Sequence, residues 1–84
     1  MDLRGFKAKW LARLVSYEPR SSGERAFRDE LIMRVSNMRR YDAARLALDI
    51  GAMMRRGDVS EEFRSMLREM LRDIESLAQG GEHG

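Results

Sequence analysis

An all-α fold is predicted by three features of the 84-residue chain. Apolar residues recur at intervals of three and four through four separate stretches, nothing alternates apolar and polar residues as a half-buried strand does, and the single Pro falls between the first two stretches. The length allows one small core and no second domain. The reading is a small bundle of four amphipathic helices over about residues 3-17, 23-38, 42-56 and 60-78. These form a single helical domain over 1-79, followed by a flexible, disordered tail over 80-84.

The first helix aligns Leu3, Phe6, Trp10, Leu14 and Tyr17 on one stripe, with Leu11 and Val15 beside it. Pro19 disfavours helical geometry in the residue before it, so this helix is expected to end near Glu18. Ser21, with Glu24 three residues on, has the pattern of a capping box and opens the second helix, which lines up Phe27, Leu31, Val35 and Met38. Met33 lies well off that stripe.

Asp42 is the expected N-cap of the third helix. Its residues Ala43, Leu46, Ala47, Ile50, Gly51, Met53 and Met54 cover about half the circumference, with Leu48 outside the arc. After Gly57 and Asp58, Ser60 caps the fourth helix, and Glu61 and Glu62 suit the positive end of its dipole. Phe63, Met66, Leu67, Met70, Leu71, Ile74, Leu77 and Ala78 form its apolar face. Gln79 to Gly84 hold three Gly and no apolar anchor, which reads as the tail.

Composition narrows the chemistry. Cysteine is absent, which excludes disulfides, thiol nucleophiles and Cys-based metal sites. The only His, His83, lies in the expected tail, where nothing would hold it in a productive geometry. Asp42, Asp49, Glu62, Glu69 and Asp73 lie on polar helix faces beside Arg and read as solvated surface. No catalytic, cofactor-binding or metal-binding residue is assigned, and the expectation is a non-enzyme without cofactors. The greasiest run, Ile50 to Met54, is far shorter than the ~20 residues of a membrane span. Lys7, Lys9 and Arg13 interrupt any signal-peptide core, so a cytoplasmic location is expected.

Sixteen Lys and Arg against fourteen Asp and Glu give a net charge of +2, divided as +5 over residues 1-40 and −3 over 41-84. If the second and third helices run antiparallel, Arg25 and Arg28 meet Arg55 and Arg56, with Arg20 nearby. That cluster is a candidate contact for phosphates or an acidic partner. Glu24, Asp58, Glu61 and Glu62 fall at the same end and oppose it. The first helix sets Arg4, Lys7, Lys9 and Arg13 around Phe6 and Trp10, a pattern that suits an acidic partner groove or an anionic membrane, although a domain this small more often needs its only Trp to close the core.

Apolar residues in excess of one core's needs point to a partner surface. Phe6, Trp10, Leu11, Met33 and Leu48 are its candidate residues, and Val15 is a further leftover. The functional reading is a non-catalytic protein-protein interaction module of the adaptor kind. It is expected to self-associate as a homodimer, by pairing of hairpins or of fourth helices, and to bind a protein partner through apolar, Met-rich and Arg-rich helix faces. The alternative is a nucleic-acid-associated protein using the basic N-terminal half; a membrane surface is the least favoured partner.

Overall fold

The computed structural model describes residues 1–80 and contains, among them, four α-helices and no strand. The helices are α1 (Leu3–Ser16), α2 (Ser22–Asn37), α3 (Ala43–Met54) and α4 (Glu61–Gly80), with a 3-10 turn over Arg40–Asp42 leading into α3. Gln79 and Gly80 continue α4, and the rest of the expected tail, residues 81–84 with His83, lies outside the described residues.

Local chemistry sets most of the boundaries. Asp2 Oδ1 accepts from the Gly5 N–H at 2.7 Å and starts α1, and Tyr17 leaves the helix in an extended conformation two residues before Pro19. Ser21 Oγ accepts from the Glu24 N–H at 3.1 Å and starts α2. Ser60 Oγ accepts from the Phe63 N–H at 3.2 Å at the head of α4. Asp42 departs from its expected role. It already has helical dihedrals, and its carboxylate turns back to accept from the Arg39 N–H at 2.7 Å, so it closes the 3-10 turn and does not cap α3.

Helix α1 packs along α2, α4 packs along α3, and α1 also packs on α4. The core is continuous. Phe6, Trp10 and Leu14 enter it from α1, Leu31 and Val35 from α2, Leu46, Ile50 and Met53 from α3, and Phe63, Leu67, Met70, Ile74 and Leu77 from α4. Val59, in the α3–α4 loop, is buried with them and anchors that loop. Helix α4 thus buries most of its apolar stripe, with Leu71 partly buried against the core and Ala78 exposed.

Arginine has a structural use that composition alone does not reveal. The last carbonyls of a helix lack intrahelical partners. Here each helix end receives a cation from another element. Arg28 Nη1 donates to Tyr17 O beyond α1 at 3.1 Å, and Lys7 Nζ to Ser36 O at the end of α2 at 3.2 Å. Arg64 donates to Met54 O and Arg56 O after α3 at 3.0 and 2.9 Å, and Arg40 Nη1 reaches Leu77 O in α4 at 3.4 Å. The charge also suits the negative end of the helix dipole. Arg64→Met, which keeps the stem and removes the fork, is expected to cost about 1–2 kcal/mol, readable in urea denaturation.

Candidate interaction surface

The buried candidates are settled by packing. Phe6 and Trp10 are completely enclosed, so neither offers a contact to a partner in this fold, and their assignment as partner-binding residues is corrected to a core role. A small bundle needs its largest apolar side chains inside, and the indole N–H finds its acceptor at the rim: Trp10 Nε1 donates to Asp73 Oδ2 at 2.8 Å. The Arg13 guanidinium lies 4.8 Å and the Lys9 ammonium 5.3 Å from the Trp10 ring, sealing it from solvent. Lys9 bridges Asp73 at 2.7 Å and Glu69 at 3.2 Å, and these hydrogen bonds raise its pKa above the ordinary lysine value. Leu11 is half-buried against the core and is likewise no free contact.

Met33 and Leu48 face outward, 66% and 71% exposed. Both lie opposite the core stripe of their own helix, so no intramolecular packing can cover them. The two positions are related through their neighbours. Arg34 on α2 forms an ion pair with Asp49 on α3, bridging two helices whose backbones make little direct contact, and on these antiparallel helices residues 33 and 48 then stand roughly 3 Å apart in height. Arg34 also reaches Glu30 at 3.8 Å, and Arg45 reaches Asp49 at 3.8 Å, which completes a chain of two acids and two bases. Counting along the helices, Ala26 and Ala52 fall on this side toward one end and Asn37 and Tyr41 toward the other, all exposed, with Tyr41 at 75%. The α2–α3 side thus carries three of the large exposed apolar or aromatic side chains around a neutral network. Val15, 64% exposed, is on α1.

The Arg56 guanidinium lies 5.6 Å from the Phe27 ring and brings the end of α3 to the first half of α2, the helix that carries Arg25 and Arg28. Most of the charge at this Arg-rich end is already engaged. Arg20 contacts both oxygens of Glu62 at 3.3 and 3.1 Å, Arg28 pairs with Asp29 at 3.0 Å, and Arg56 pairs with Asp58 at 3.4 Å. Arg25 and Arg55 are exposed beside them. With acids interleaved at this density, the field that would draw a phosphate backbone is largely cancelled.

The same end holds the one charged side chain that is buried among the described residues, which the sequence shows only as half of a capping box. Glu24 is 1% exposed. Its Oε1 accepts from Tyr17 Oη at 2.7 Å and the Arg20 N–H at 3.0 Å, and its Oε2 accepts from the Ser60 N–H at 2.6 Å. Burial pushes its pKa upward, but the hydrogen bonds from Ser60, Arg20 and Tyr17 outweigh it and hold the carboxyl at about 2. Glu24 therefore ties the α1–α2 loop to the head of α4.

A shallow cleft of about 670 Å³ runs between α1 and α4, lined by Ala12, Ser16, Tyr17, Ser65, Met66 and Glu69. Among the described residues no group of three or more acidic or imidazole side chains is placed to hold a metal ion, and no helix is long and apolar enough to cross a membrane. No protein-family model, curated protein or solved structure matches the chain.

Proposed function

We propose that this protein is a non-catalytic helical interaction module that self-associates. The observation that carries the reading is the outward placement of Met33 and Leu48, with Tyr41, on a single side of a bundle whose core is already complete. A chain this small loses solubility by displaying large apolar side chains on one side, and covering them with protein offsets that liability. Support for a protein partner over a nucleic acid comes from the charge: the α2–α3 network is neutral, and at the Arg-rich end Arg20, Arg28 and Arg56 are already paired with acids.

The test is absolute mass by light scattering after size exclusion, for the full chain at two protein and two salt concentrations. A dimer at both salts is expected, because an apolar contact responds weakly to ionic strength. A monomer throughout that binds a polyanion at ~50 mM salt and releases it at ~200 mM overturns the reading in favour of nucleic-acid association.

A further inference from the structure

We propose that the α2–α3 side is the contact between two copies of the chain, related by a two-fold axis that runs along the bundle. The proposal rests on the self-association reading and adds its partner surface and register. Helices α2 and α3 run antiparallel, as Arg56 at the end of α3 lies over Phe27 in the first half of α2. The Arg34 to Asp49 pair fixes their relative height at the centre of the face.

A two-fold rotation about an axis parallel to the helices leaves every height unchanged and exchanges left for right. It lays α2 of one copy on α3 of the other. Met33 then lies over the partner's Leu48, and Arg34 over the partner's Asp49, and each combination occurs twice.

Charge selects this occupant over others. The rotation sets Arg34 of each copy against the partner's Asp49, joining the two ion pairs into one square of alternating sign, while Glu30 lies a turn toward one end and Arg45 a turn toward the other, and the four groups sum to zero. An acidic or a basic partner would find no net field to match. A bilayer would have to desolvate four charged groups lying among the apolar ones. Size is adequate as well: the molecule is 39 Å long and 17 to 22 Å across, so one long side is comparable with the ~800 Å² that each partner gives to a standard interface.

Sedimentation equilibrium on the full chain and four variants tests this. Met33→Glu and Leu48→Lys are each expected to raise the dimer dissociation constant about tenfold or more, with helical circular dichroism unchanged because both positions are exposed. Combining the two substitutions in one chain sets the new carboxylate against the partner's new ammonium, and dimerisation is expected to recover. Val15→Glu, on α1, should leave the constant unchanged. A wild-type dimer indifferent to both single substitutions overturns this face while leaving self-association standing. A double variant weaker than either single one overturns the register, and a monomeric wild type overturns the proposal and the functional reading together.

Discussion

Glu24→Gln is expected to destabilise the fold by about 3 kcal/mol at neutral pH, a fall in Tm on the order of 10 to 25 °C for a domain of this size. The substitution preserves shape, yet it exchanges one accepting oxygen for an NH2 group aimed at donors: Tyr17 Oη and the Arg20 N–H on one side, the Ser60 N–H on the other. The lost charge has a pH signature. The folded carboxyl titrates at about 2 and the ordinary value is 4.5, so the folded state holds fewer protons than the unfolded chain between these values. The contribution of Glu24 is complete above about pH 4.5 and is lost as pH falls toward 2; the shift corresponds to about 3 kcal/mol. Thermal melts followed by circular dichroism should show a wide gap between wild type and variant at pH 7 that closes near pH 2. A gap of equal size at both pH values would mean that the carboxylate's charge does not hold this junction.

Trp10→Ala is expected to cost about 3–5 kcal/mol, enough to leave the domain largely unfolded at 37 °C. Trp10 is the largest fully buried side chain, and its removal opens a cavity in the core. It also strips the apolar base from Arg13 and Lys9. Trp10→Phe separates the contributions. It retains most of the packing and removes the indole N–H, while Asp73 keeps its bridge to Lys9 at 2.7 Å and is not stranded. The expected cost is therefore about 1–2 kcal/mol by urea denaturation. If Trp10→Ala remains as stable as Trp10→Phe, Trp10 is not a core residue in solution.

The helices were legible because each carries an apolar stripe with the correct period and because Ser21 and Ser60 are caps whose donors lie three residues on. Those signals are local. What escaped depends on tertiary neighbours. Glu24 has the sequence of a capping-box partner, but Ser60, far along the chain, brings its backbone N–H to the carboxylate and makes it a buried junction. Asp42 matches an N-cap pattern equally well, and only the chain's path after Met38 turns it toward Arg39. Val59 is a single apolar residue in a loop, and periodicity has nothing to say about it.

The site divides in the same way. Met33 and Leu48 could be recognised from their position opposite a stripe, which is a property of one helix. Tyr41 belongs with them only because the 3-10 turn extends α3 backward. The pairing of the two exposed positions at similar heights requires Arg34 and Asp49, a contact between helices that no spacing rule supplies. Phe6 and Trp10 are compatible with core or surface on pattern alone, and the acceptor at Asp73 decides for the core.

The central claim is that the α2–α3 side is covered by a second copy. The most direct measurement is the mass of the full chain in solution beside that of Leu48→Lys at equal micromolar concentration. A dimeric wild type and a folded, monomeric variant are the result this account predicts. Two equal masses, whether both monomeric or both dimeric, would contradict it.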